Sequence, residues 1–167
     1  TAGSEFPDGS VTAPSFTFES DQDSGFYRIG SGDVGYSSNG VQILNYNGNG
    51  LNLPDNKKVQ LGTSSDLQLY HDGSHSRIVN STGNLLLDNA TGVDMYINSG
   101  NDIFIRPQGS ENGIKVIGNG AVELYNDNSK KLETRSDGTW TSGNVYSQST
   151  GNASLLVGST DAGGASI

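Results

Sequence analysis

The chain contains a module that returns at a fixed spacing. The second copy follows 55 positions after the first, so that Ser129 corresponds to Ser74. The matched segments are Val59–Gly62 with Ile114–Ile117, Leu67–Ser74 with Val122–Ser129, and Ser81–Gly83 with Ser136–Gly138. A fixed period in a chain of short strands is typical of an elongated β array and not of a compact enzyme core.

Apolar residues alternate with polar or small ones along most of the chain. This period of two predicts short, half-buried strands, and no window shows the i, i+3, i+4, i+7 spacing of a helix. Clusters of Gly, Asn, Asp and Ser separate the strands at intervals of roughly ten residues. The sequence therefore predicts an all-β fold without helices. The predicted strands carry Val59/Leu61, Leu67/Leu69, Leu85/Leu87, Val93/Met95/Ile97, Ile103/Ile105, Ile114/Val116, Val122/Leu124 and Leu155/Val157.

The supply of strongly apolar residues is small. Leu, Ile, Val and Phe provide 37 of 167 residues, close to the roughly one fifth below which a charged chain stays disordered. Such a chain completes its core by sharing it with identical copies. The residues expected to face the shared interior are Leu67, Leu69, Leu85, Leu87, Ile103, Ile105, Val122 and Leu124.

Composition divides the chain into three segments. Residues 1–6 are expected to be a cloning scar, because Gly3–Phe6 matches what two adjacent cloning sites encode. Residues 7–56 are predicted to be a Gly/Asn-rich β segment. Residues 57–167 are predicted to hold the repeated short-strand modules of period 55.

Charge and composition exclude several classes of partner. The formal net charge of −9 disfavours nucleic acid and anionic membrane surfaces, and it disfavours an acidic glycan unless a local basic patch is present. No apolar run approaches the roughly 20 residues of a membrane span, so no membrane insertion is predicted. The chain has no cysteine, so no disulfide framework is possible.

Two short segments match the residue patterns of known ligand sites. Gly30–Gly35 fits the dinucleotide fingerprint, but that site needs a following helix and none is predicted, so a glycine turn is expected. Asp21–Gly25 alternates carboxylates as a calcium loop does, but Gly32 stands where the closing Glu belongs. Turn-forming Asx residues are the preferred interpretation of this second motif.

Asp72–Gly73 is predicted to form a two-residue type I′ hairpin turn with Gly73 at positive φ. This register places Leu67 opposite Ile78 and Tyr70 opposite His75. His71 and His75, the only histidines, could then approach each other and bind a metal near a three-fold axis. A surface or cross-strand packing role is the preferred interpretation for both.

No residue pattern requires catalysis. The chain has no Cys and no Ser in a nucleophile elbow, and no carboxylate pair sits in an identifiable apolar pocket. The sequence therefore predicts no catalytic, cofactor or metal site, and no enzyme. Asn80–Thr82, Asn89–Thr91 and Asn152–Ser154 match glycosylation sequons by chance in a chain rich in Asn, Ser and Thr.

Three segments resemble tail fibres of tailed bacteriophages. Pro14–Arg28 is similar to a fibre stretch that leads into the distal shaft. Leu61–Ser74 and Gly120–Thr134 are similar to recurrent elements in fibres of environmental phages. The resemblance implies an elongated homotrimeric β-repeat fibre, similar to a triple β-helix or β-prism. It also implies location on the virion, outside the cell, and attachment to a bacterial surface glycan or outer-membrane receptor.

Two other functions remain open at this point. One is a trimeric tailspike enzyme that degrades surface polysaccharide, although this usually requires a larger β-helix with a carboxylate-lined groove. The other is a bacterial surface adhesin stalk, which more often carries coiled-coil heptads. The sequence favours the structural and adhesive fibre segment.

Overall fold

The computed structural model describes Gly3 and residues 5–146, and this part of the chain is all-β with no helix, as predicted. Consistent with this, the described residues include no helix long and apolar enough to cross a membrane. The strands are β1 (Phe16–Phe18), β2 (Asp21–Gly30), β3 (Asp33–Ser38), β4 (Val41–Asn47), β5 (Gly50–Asn52), β6 (Val59–Leu61), β7 (Leu67–His71), β8 (Ser76–Asn80), β9 (Ile103–Ile105), β10 (Ile114–Val116), β11 (Val122–Asn126), β12 (Ser129–Arg135) and β13 (Gly138–Thr141).

The described strands form three antiparallel sheets. Each is a meander in which consecutive strands are neighbours: β1 to β5, β6 to β8, and β9 to β13. The chain divides into two compact units, Thr1–Asp88 and Asn89–Ile167. The first unit contains the first two sheets and the second unit contains the third sheet. Sheets of this kind need only short turns, which the Gly- and Asn-rich sequence supplies.

The spacing of 55 residues is also present in the strand bounds. Strands β6 and β10 begin and end 55 positions apart, and so do β7 and β11. The register agrees as well, because Val59 pairs with Leu69 and Ile114 pairs with Leu124. The two copies diverge at the following hairpin, where the return strand begins at Ser76 in one and at Ser129 in the other, and the third sheet has two further strands, β9 and β13.

Two predicted strands do not form, and this part of the prediction is wrong. Leu85/Leu87 and Val93/Met95/Ile97 lie in turns and irregular backbone between β8 and β9. Their side chains are exposed, by 44% at Leu85 and 64% at Ile97. Alternating apolar and polar residues would give a strand one apolar face. A strand forms, however, only where the edge of a neighbouring strand supplies hydrogen-bond partners. The predicted strand at Leu155/Val157 lies outside the described residues.

The predicted register of the β7–β8 hairpin is also wrong. Leu69, not Leu67, lies opposite Ile78, and Tyr70 pairs with Arg77. The Asp72 carboxylate accepts hydrogen bonds from the backbone N–H groups of Ser74 and His75, at 3.0 and 2.8 Å. This moves the turn one residue along, to Gly73 and Ser74. Gly73 does have the predicted positive φ, of 93°.

The type I′ geometry appears instead in the second copy and in the first sheet. Asp127 and Asn128, with φ of 50° and 55°, connect the paired residues Asn126 and Ser129. Asn39 and Gly40, with φ of 50° and 67°, connect β3 and β4 in the same way. Asn and Asp tolerate this left-handed conformation at low cost, and it matches the twist of the flanking strands.

Each sheet has one face that is predominantly apolar. Residues directly opposite each other across neighbouring strands share a face, because side chains alternate along a strand. The rows on these faces are Phe16, Phe26, Tyr36 and Leu44 in the first sheet, Val59, Leu69 and Ile78 in the second, and Ile105, Ile114, Leu124 and Leu132 in the third.

These apolar faces are largely exposed to solvent. Phe26 is 45% exposed, and Leu69 and Leu124 are each 39% exposed. Within each unit, the strands contact only other strands of their own sheet. Among the described residues, the buried apolar side chains are those of Pro14 and Tyr27. The Tyr27 ring lies on Gly35, where a Cβ atom would come within 2.6 Å of it. The described part of the chain therefore has almost no core of its own.

Gly73→Val should destabilise the β7–β8 hairpin. The space at Gly73 is open, since the nearest atom to an added Cβ is Asp55 Oδ2 at 3.6 Å. The cost therefore comes from the positive φ, and we expect a loss of about 1–2 kcal/mol in the free energy of unfolding, measured by chemical denaturation. Ser74→Val, at a position without positive φ, is the control. Equal losses in both variants would contradict this explanation.

Candidate functional site

His71 and His75 are not cross-strand partners. His71 pairs with Ser76, and its Nδ1 lies 3.3 Å from Ser76 Oγ. His75 lies in the turn region, with its Nδ1 3.8 Å from Asp72 Oδ1. The described residues contain no group of three or more side chains of the metal-ligating types. Within one chain the two histidines are thus separate surface groups.

The two motifs that match ligand sites by letter both belong to the β2–β3 hairpin. Gly30 pairs with Asp33, and Gly32 takes a φ of 72° in the turn between them. Strand β3 follows, so the motif lacks the helix N-terminus that holds a pyrophosphate. Asp21–Gly25 lies within the extended strand β2 and does not curl around a cation position.

The third sheet carries a charged and aromatic face opposite its apolar face. Five side chains lie directly across from one another on the five strands of this sheet, forming one transverse row. The row consists of Phe104, Lys115, Glu123, Glu133 and Trp140. The sequence signal was available for Phe104, Lys115 and Glu123, which alternate with the predicted apolar residues, but a single residue in each strand does not stand out as a motif.

Lys130 joins the two glutamates of this row into an ion-pair cluster. Its Nζ lies 3.0 Å from Glu123 Oε1 and also contacts Glu133 Oε2. Arg135 Nε donates to Glu133 Oε1, and Tyr125 OH donates to Glu123 Oε2 at 2.6 Å. Each glutamate is only 8% exposed. Charges this shielded are stable only when they are paired and hydrogen-bonded, as these are.

The cluster keeps both glutamates ionised. The hydrogen bond from Tyr125, followed by that from Lys130, lowers the pKa of Glu123. Hydrogen bonds from Lys130 and Arg135 lower the pKa of Glu133, and Glu133 in turn raises the pKa of Lys130. Hydrolysis of a glycosidic bond by two carboxyl groups needs one of them protonated as the acid. This pair offers no such proton donor at neutral pH.

A pocket of about 550 Å³ lies beside the cluster, where β11 begins and β12 ends. It is lined by Asn119, Gly120, Ala121, Thr134, Arg135, Ser136 and Asp137. Arg135 connects the pocket to the row, since its guanidinium also lies 5.3 Å from the centre of the Trp140 ring. Sequence reasoning did not find this pocket, because its residues match no motif and come from the start of β11 and the end of β12, which the strand pairing brings together.

Comparison with protein-family models, with curated protein sequences and with solved structures gave no match to this chain. The functional interpretation therefore depends on the residues and their geometry.

The glutamate cluster should make the fold sensitive to acid. Glu123 and Glu133 have pKa values below the ordinary 4.5 in the folded chain. They therefore stabilise the fold above pH 4.5, and this contribution is lost as the pH falls through their folded values. In Glu133→Gln we expect lower stability at neutral pH and a shallower loss on acidification, measured as the denaturation midpoint at several pH values.

Glu111→Gln is the control for this prediction, since Glu111 forms no ion pair with the described residues. Its pH profile should follow that of the unmodified chain. A Glu133→Gln profile of unchanged slope would show that the cluster does not govern the acid sensitivity.

Proposed function

We propose that the chain is a structural and adhesive segment of a tail fibre of a tailed bacteriophage, located on the virion and used in attachment to the host cell. The resemblance of Pro14–Arg28, Leu61–Ser74 and Gly120–Thr134 to fibre elements supports this proposal. These segments contribute to all three sheets. Their partner outside the particle would be a bacterial surface glycan or an outer-membrane receptor.

The observation that carries the proposal is the set of uncovered apolar sheet faces. An isolated sheet with one apolar face is not independently stable in water, because that face must be removed from solvent. In this proposal, copies of the same chain cover one another. Equivalent residues 55 positions apart, such as Leu69 and Leu124, lie at corresponding places on these faces, so one mode of covering would serve both copies of the module.

The proposed assembly is an elongated homotrimer with a triple β-helix or β-prism-like interior. The charged face of the third sheet, with Lys130 and its two glutamates, would then point outward. A net charge of −9 per chain favours solubility of such a shaft and disfavours nucleic acid and anionic membranes as partners. The proposed role is to extend from the virion and to contact the host surface, without catalysis or a cofactor.

Light scattering tests the assembly. A purified chain should have a molar mass close to three times its own 17.5 kDa at micromolar concentration. Leu69→Asp should give a monomer or an unfolded chain, because it places an unpaired charge in the shared interior. Gln60→Asp lies in the same sheet on the opposite face and should leave the trimer intact. A well-folded monomer of the unmodified chain would exclude this assembly.

Binding to whole bacteria tests the adhesive role. The purified chain, labelled at its amino terminus, should bind cells of some strains in a panel and not others, since receptor binding is selective. Binding should be far tighter for the trimer than for the Leu69→Asp variant, because three linked sites raise avidity. Equal retention on all strains, or on none across a broad panel, would contradict a host-attachment role.

A further inference from the structure

The pocket between β11 and β12 presents unused hydrogen-bonding groups. The side chains of Asn119, Ser136 and Asp137 form no hydrogen bond with the described residues, and Arg135 uses only its Nε, toward Glu133. The Thr134 hydroxyl accepts from the N–H of Val122 at 2.9 Å, which leaves its own proton free to donate. The pocket therefore offers donors and acceptors of both charged and neutral kinds within one small space.

An indole ring stands beside these groups. Trp140 is 37% exposed on the edge strand β13. The Arg135 guanidinium and the Lys130 ammonium lie 5.3 and 5.9 Å from the ring centre. These contacts with the ion-pair cluster fix the position of the ring. A large flat apolar surface thus contacts Arg135, which also lines the polar pocket.

The first copy of the module has no comparable set of open groups at the end of its return strand. Ser81, 55 positions before Ser136, donates to the Asp66 carbonyl oxygen from its backbone N at 2.8 Å and from its Oγ at 3.1 Å. Asn80 donates to the carbonyl oxygens of Thr82 and Gly83. In the sheet it corresponds to Thr134, because Leu69 pairs with Ile78 in the first copy and Leu124 pairs with Leu132 in the second. In the first copy, these groups are satisfied by their own loop.

In the second copy the corresponding carbonyl oxygen belongs to Ala121, and it accepts from Ile117 N at 2.9 Å. Arg135 is turned toward Glu133 and Trp140, and Ser136 is left without a partner among the described residues. Leu85, 55 positions before Trp140, lies outside any strand in the first copy. The second copy thus combines open polar groups with an aromatic ring that contacts Arg135.

We propose that this pocket binds one residue of a neutral saccharide. Sugar hydroxyl groups both donate and accept, and the pocket offers partners for both: the Arg135 guanidinium and the Thr134 hydroxyl donate, the Asp137 carboxylate accepts, and the Asn119 amide does either. The C–H face of a sugar ring can lie on the indole of Trp140. Asp137 and the net charge of −9 disfavour an acidic sugar. This inference rests on the proposed attachment function and assigns the glycan contact to a defined place on the third sheet.

The fluorescence of Trp140 reports on this site specifically, because the chain contains a single tryptophan. The trimeric chain is titrated with the methyl glycosides of glucose, galactose and mannose, with N-acetylglucosamine, and with glucuronate as the acidic comparison. We expect a saturable change in emission with at least one neutral sugar and a weaker one with glucuronate.

Two variants and a control sharpen the test. Arg135→Gln removes donors, and Ala121→Gln fills the pocket; each should weaken binding by about tenfold or more. Lys131→Gln, with the same loss of charge outside the pocket, should bind as the unmodified chain does. The proposal is overturned if no neutral sugar gives a saturable change, or if both pocket variants bind normally. Since the site lies within one chain, its failure is distinct from failure to form a trimer in light scattering.

Discussion

The uncovered apolar face of each sheet is the constraint on which the rest of the structure depends. Burial of apolar surface contributes roughly 25 cal/mol per Å², and most of the large apolar side chains here remain partly in water, as Leu69 and Leu124 do at 39% exposure. Pro14 and Tyr27 are the buried apolar side chains among the residues that the structure describes. The free energy that would stabilise a compact domain is therefore available for contacts with a partner, and we propose that this partner is the same chain.

Local order is nevertheless specified inside the chain. Positive φ at Asn39, Gly40, Asp127 and Asn128 favours tight turns whose twist matches the flanking strands. Such turns fix the register, and the register decides which side chains share a face. The meanders thus need no distant contact to decide which face is apolar. In the proposed assembly, the copies cover surfaces that the turns have already arranged.

The sequence predicted the class of fold and much of its repeat, but not all of its pairing. Alternation and turn residues located β6, β7, β10 and β11, because both signals are local. The same alternation failed at Leu85 and Val93, since whether a strand forms depends on an edge elsewhere in the structure. The register of the β7–β8 hairpin was wrong because the Asp72 side chain accepts two backbone hydrogen bonds. The pocket lined by Arg135 was not predicted, because its two segments, residues 119–121 and 134–137, match no motif and meet only through the pairing of β11 with β12.

Side chains alternate between the two faces of each strand, and this alternation separates the proposed assembly surface from the proposed recognition surface. Along β11, Val122 and Leu124 face one side of the sheet while Glu123 and Tyr125 face the other. A substitution at a residue such as Leu124 therefore changes the apolar face without touching the ion-pair cluster. A substitution at a residue such as Tyr125 changes the charged face without touching the apolar one. The two copies of the module differ in this way. The apolar row has leucine in both copies, at Leu69 and Leu124, while the opposite face has Gln68 in the first copy and Glu123 in the second. A repeated β module can thus keep the surface needed for assembly while its opposite face acquires new chemistry.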